Sequence, residues 1–355
     1  MLMISDVVRV LIPAGTAFAI GVVLTPILSH YLYTYKAWKK TGGKTAYDGT
    51  AAAEFNRLHV RHEVRAPRMG GIIVWASTLI TILGFAALAK IFPGITPDQL
   101  DFLSREQTWV PLGALLVGAF AGLIDDLLII RPGGNGLQLR YRLVIVVALA
   151  LLIGLWFYDK LGVHAVSIPF DGVLEIGVLI IPLFVLISLA LFASGVIDGI
   201  DGLSGGVFAS IFASYAIIAF AQNQIDLSAF CAAITGGLLA FLWFNIPPAR
   251  FYMSDTGTMA LTLTIPVIAF MTDDLGEGIG VAVLPIIGAL LVATVASDIL
   301  QMIWKRYFGR KLFRIAPLHH HFEAIGWPGE KVTMRYWVLS IVFAFLGVIV
   351  ALVAR

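Results

Sequence analysis

The chain has 355 residues, of which 59% are hydrophobic and 13% charged, and its formal net charge is +2. Soluble domains carry about 45–50% apolar and about 25% charged residues, so an ordinary soluble globule is excluded, as are disordered and fibrous chains. So small a charge points to no nucleic-acid partner, and a single cysteine, Cys231, allows no internal disulfide.

One transmembrane helix needs about 20 apolar residues. Apolar runs bounded by Gly, Pro and charge predict ten spans: 7–33, 70–91, 110–130, 142–158, 174–194, 203–221, 227–245, 257–272, 279–304 and 335–354. The fourth and eighth are short. Backbone in lipid must satisfy its own hydrogen bonds, and runs this long favour helices over the ten-residue alternation of a barrel. The expected fold is an all-α polytopic membrane protein, one integral membrane domain over residues 1–355. The first run lacks the basic flank of a cleavable signal and reads as a retained helix. The polar segments after spans 1, 3, 7 and 9 hold 19 of the 24 Lys and Arg. By the positive-inside rule these segments are cytoplasmic and both termini lie outside.

The acids are the informative residues. Asp125 and Asp126 end the third span (GLIDDLLII), Asp198 and Asp201 follow the fifth (VIDGIDGLSGG), and Asp255 follows the seventh (NIPPARFYMSDTG). All five fall at cytoplasmic helix ends in otherwise apolar sequence. A carboxylate near hydrocarbon is costly and usually has a partner or a task. Asp is also a preferred helix cap, which accounts for any one of them, but not readily for five on one face. Clustered carboxylates repel unless a cation sits among them, and hard oxygen ligands suit Mg²⁺, with phosphates completing the shell. Glycines beside these acids, and the loop RPGGNG at 131–136, permit close backbone approach to a ligand. Helix N-termini there attract phosphate.

Two further clusters stand out. PLHHHFE holds His319, His320, His321 and Glu323. Adjacent side chains diverge, whereas tight zinc sites use spaced ligands. Imidazole donors on phosphate or sugar oxygens fit better, with a structural histidine turn as the alternative. WKRYFGRKLFRI, 304–315, reads as an interfacial amphipathic helix on anionic lipid or as a helix end with snorkelling Lys and Arg. Carboxylates, phosphate-friendly loops and basic residues at one membrane face fit phosphoryl transfer between a soluble nucleotide and a lipid phosphate.

These motifs resemble the polyprenyl-phosphate N-acetylhexosamine-1-phosphate transferases over nearly the whole chain. APLHHHFEAIGWPGEKVTMRYW, 316–337, marks the branch that takes a muramoyl-pentapeptide donor. PRMGG, LIDDL, IDGIDGLSGG and NIPPARFYMSDTG are shared more widely. The resemblance implies ten helices with a cytoplasmic cleft in a bacterial plasma membrane, Mg²⁺, the substrates UDP-N-acetylmuramoyl-pentapeptide and undecaprenyl phosphate, and a homodimer. It implies that Asp125, Asp126 and Asp255 are catalytic. It places Asp126, Asp198 and Asp255 at the metal. Asp198, Asp201, Asn245, His319, His320 and His321 fall to substrate; Arg68, itself a departure from the family pattern, is expected to join them as a replacement cation. The chain departs from the family pattern at Ile129 (usually Lys), Gly195 (usually Asn), Asn135 (usually Lys), Arg68 (usually Thr) and Ser254 (usually Gly). Arg65, Arg68, Arg140 and Arg142 are the cations available to replace the missing lysines. Other readings are a sister transferase with another UDP-sugar, an inactive relative, and a transporter. The last is disfavoured because transporter sites lie near the midplane.

Overall fold

The computed structural model describes residues 4–40, 42–43, 56, 66–92 and 100–354. Lys44, Arg57, Arg61 and Arg65 lie outside the described residues. The described chain is helical: α1 (Ile4–Thr34), α2 (Ile72–Ile91), α3 (Trp109–Ile129), α4 (Leu139–Lys160), α5 (Ile180–Ser194), α6 (Leu203–Ala221), α7 (Ile225–Asn245), α8 (Ser254–Met271), α9 (Gly280–Ile287), α10 (Ala289–Phe308), α11 (Leu318–Ala324) and α12 (Gly329–Val353). Among the described residues nine helices are long and apolar enough to cross a membrane, and counting α9 with α10, bent by 69°, as one span gives ten. This is an all-α polytopic membrane protein.

The helices form layers around α8. That helix packs against α3 and α5, and 94% of its spanning window is buried. It is also the least apolar of the spans, because protein rather than lipid surrounds it. Its threonines turn their hydroxyls back onto the helix, Thr262 Oγ1 to Thr258 O and Thr264 Oγ1 to Ala260 O, both at 2.7 Å. This satisfies polar groups that could not be left bare. Outer helices expose large apolar side chains instead, such as Leu152 at 67% and Phe345 at 64%. So much exposed apolar surface is stable only against lipid.

Two expectations from the sequence need correction. The ninth run is not one straight span, for the chain breaks between α9 and α10 at Gly288. The amphipathic stretch 304–315 is not one helix either. α10 stops at Phe308, and Gly309 takes a left-handed φ of 65°, a conformation that glycine adopts without penalty and that ends helices. A hairpin also went unread: β1 (Ala165–Ile168) pairs antiparallel with β2 (Gly172–Glu175), Ala165 opposite Glu175. Of the residues read as the start of the fifth span, 174 and 175 belong to this hairpin, and the span itself begins at Gly177 with a short 3-10 turn.

The approach of α3 to α8 is close enough to require glycine. A Cβ on Gly122 would stand 2.0 Å from the Asp255 carbonyl oxygen, and one on Gly118 2.5 Å from that of Met259. Gly113, on the same helix, faces open space. We predict that Gly122→Ala costs about 1–3 kcal/mol in thermal unfolding in detergent, as overpacking does. Gly113→Ala should stay within about 0.5 kcal/mol of the parent.

Candidate active site

Asp125 and Asp126 occupy the last turn of α3, and both are buried, at 1% and 0% exposure. Asp255 lies in the first turn of α8, one turn earlier than the sequence reading began that helix. The contact at Gly122 brings these two helix ends together. Arg68, in the PRMGG loop, reaches between them. Its Nε donates to Asp126 Oδ1 at 2.8 Å and its Nη2 to Asp255 Oδ2 at 3.1 Å. Backbone bonds fix the loop: Arg68 N–H donates to Ala37 O, Tyr252 N–H to Pro67 O and Gly70 N–H to Tyr252 O. Desolvation works against the Arg68 charge, but Asp126 and Asp255 outweigh it and hold the guanidinium charged above its ordinary range.

Arg142, in the first turns of α4, is the second bridge. Its Nη1 donates to Asp255 Oδ1 at 3.1 Å and lies 3.5 Å from Asp125 Oδ2. The sequence reading began the fourth span at Arg142 and offered the residue only as a replacement cation. Its place in the cluster comes from α4 beginning at Leu139. Of the other replacements, Arg140 lies over the exposed Tyr141 ring instead. Ile129, where the family pattern has Lys, packs beneath Gly136. The loop it supports presents the Leu137 N–H to Asp125 Oδ1 at 2.5 Å.

The remaining carboxylates are held by neutral donors. Asp126 Oδ2 accepts the Thr256 N–H at 3.0 Å and the Thr256 hydroxyl at 2.6 Å. Asp198 accepts the Ser204 hydroxyl and the Ser254 N–H, each at 2.7 Å. Desolvation pushes the Asp198 carboxyl above its ordinary range, against those two donors. Asp201 accepts the Ala249 N–H at 3.0 Å. Asn245, 1% exposed, accepts the Gly202 N–H at 3.0 Å and donates to Phe251 O at 2.8 Å. Asn245 and Asp201 thus tie the DGIDG loop to the NIPPARF loop.

The histidines divide. His319 and His320 are buried, and a Cβ on Gly199, between Asp198 and Asp201, would stand 2.8 and 2.6 Å from their Nε2 atoms. His320 Nδ1 pairs with Glu323 Oε2 at 2.8 Å. His321 turns away, accepting the Arg314 N–H at its Nδ1 and meeting Phe313 edge-on. Burial and the Arg314 charge keep the His321 ring below its usual pKa. Among the described residues no three His, Cys, Asp or Glu side chains form a ready metal cage. At the acidic cluster the reason is visible, because two guanidiniums stand among the carboxylates.

The fold sets this acidic cluster in a bundle of membrane-length helices. Residues 108–273, from the start of α3 to the end of α8, match the family model described as glycosyl transferase family 4. The chain is 31% identical, over 99% of its length and 92% of the relative's, to phospho-N-acetylmuramoyl-pentapeptide-transferase of Chloroflexus aurantiacus. It is 32% identical to the proteins of that name from Anoxybacillus flavithermus, over 96% of this chain and 97% of the relative, and from a Mycobacterium species, over 96% of each. The chain belongs to the phospho-N-acetylmuramoyl-pentapeptide-transferase family.

Asn245 is a sharp test of how the site is held. We predict that Asn245→Ala, which strands a buried N–H and a buried carbonyl, lowers stability by about 1–3 kcal/mol. Asn245→Asp, which still accepts from Gly202 but sets an unpaired carboxylate against the Phe251 carbonyl, should lose at least as much as alanine in the same thermal unfolding experiment.

Proposed function

We propose that the protein transfers phospho-N-acetylmuramoyl-pentapeptide from its UDP carrier to undecaprenyl phosphate, releasing UMP and forming lipid I. It works as one integral membrane domain, paired as a homodimer, with its cleft on the cytoplasmic side of a bacterial plasma membrane. The observation that carries this reading is the convergence of Asp125, Asp126 and Asp255 around Arg68 and Arg142 at one end of a membrane bundle. The names of the relatives supply the substrate class.

Mg²⁺ fits the site by donor chemistry: every acid there offers hard carboxylate oxygen, and Asp125 Oδ2 is buried without a hydrogen bond. Asp126, Asp198 and Asp255 are the residues that would hold it. Bound there, Mg²⁺ would supply Lewis-acid neutralisation of the diphosphate. The chain's own residues do the rest. A lipid phosphate oxygen forms a bond to the sugar-bearing phosphorus, the bond to UMP breaks, and UMP leaves with the electron pair. Asp125 Oδ2 takes a proton from the incoming lipid phosphate. Arg68 and Arg142 supply positive charge to the diphosphate. Thr256, Ser204 and the Ser254 N–H keep Asp126 and Asp198 fixed, so little reorganisation accompanies the reaction. His319 and His320 offer ring nitrogens beside Gly199 to the donor, and His321, Asp201 and Asn245 shape the loops that receive it.

The test is UMP release by purified protein from the muramoyl-pentapeptide donor and undecaprenyl phosphate, with UDP-N-acetylglucosamine as a competing donor. Release from the muramoyl donor alone, lost in EDTA and reduced about 100-fold or more in Asp255→Asn, is the expected result. Release from the competing donor would contradict the substrate assignment. Silence toward both from folded protein would contradict the enzymatic reading.

A further inference from the structure

The four acids of the site are not held alike. Asp126 and Asp198 are pinned by Thr256, Ser204 and the Ser254 N–H, and Asp125 by the Leu137 N–H. Asp255 differs, because guanidiniums take both its oxygens, Arg142 at Oδ1 and Arg68 at Oδ2. Guanidiniums on long side chains are exchangeable partners, whereas backbone donors are not. Arg142 is also underused. Its Nε is buried without a hydrogen bond, and its approach to Asp125 is loose at 3.5 Å. A guanidinium carries five donors in a fork that matches phosphate oxygens, so a phosphate ligand offers Arg142 more than the acids do.

Resting on the transferase reading above, we propose that Arg142, with Arg68, is a resident counter-cation for Asp255. A phosphate ligand and a divalent cation then bind by exchange. The guanidinium turns from Asp255 to the phosphate oxygens, and the freed carboxylate receives the cation beside Asp126 and Asp198. Without the phosphate ligand the arginines and the cation compete for Asp255. With it they cooperate, so each ligand tightens the other by the same factor.

Binding of Mn²⁺ to the full-length protein in detergent tests this without turnover. Free Mn²⁺ is followed by its electron paramagnetic resonance signal, with and without UMP, after correction for Mn²⁺ chelated by UMP alone. The parent protein should bind Mn²⁺ at least about fivefold more tightly with UMP present, the lower end of usual coupling between sites. Arg142→Gln should bind Mn²⁺ alone at least about fivefold more tightly than the parent and lose most of the gain from UMP. Mn²⁺ affinity in the parent that ignores UMP would overturn the proposal, whatever the variant does. So would an Arg142→Gln protein that binds Mn²⁺ no better than the parent. Failure here together with normal UMP release would remove the exchange and leave the transferase reading standing. Coupled Mn²⁺ binding without transfer would do the reverse.

Discussion

A fully buried carboxylate is tolerated only when it is paired and hydrogen bonded, and Asp126 is the residue on which this constraint falls. Its partners are Arg68 from the PRMGG loop and Thr256 from the first turn of α8. Satisfying that one side chain therefore fixes three segments distant in sequence. Gly122 and Gly118 make it geometrically possible by letting α3 and α8 approach backbone to backbone. Asp255 is delivered beside Asp126 by the same contact, and Arg68 spans the two.

The acids repel one another, and the fold balances them with groups of two kinds. Neutral donors from turns and helix starts hold Asp198 and one oxygen of Asp126 in place. Charged, flexible donors hold Asp255. The first kind gives a site that need not reorganise. The second gives a site whose charge can be rearranged when anionic ligands arrive. The family pattern has a lysine where this chain has Ile129, and the structure puts Ile129 beneath Gly136. Cationic charge enters instead from Arg68 and from Arg142 at the start of α4.

Much of this was legible in the sequence. Ten apolar runs correspond, among the described residues, to nine long helices and one bent pair, because lipid imposes both length and apolarity on a span. The acids at helix ends were visible as costly residues with no local reason to be there. Less legible were features set by packing. The break at Gly288 and the stop at Gly309 sit inside apolar or amphipathic sequence, where periodicity does not register a bend. The hairpin at 165–175 had a turn signal in Pro169, Asp171 and Gly172, overridden by the apolar residues that follow. Arg142 was visible as a charge but not as a partner of Asp255, since 113 residues separate them. Asn245 drew attention as a motif residue. That its amide joins two loops follows only from the fold.

The account stands on the bridge that Arg68 makes between α3 and α8. A double-mutant cycle on Arg68→Gln and Asp255→Asn, read by thermal unfolding in detergent without divalent cations, tests it most directly. Groups in one salt-bridge network couple by about 0.5–3 kcal/mol, and the account predicts a coupling within that range. Effects of the two substitutions that add to within about 0.3 kcal/mol would contradict it.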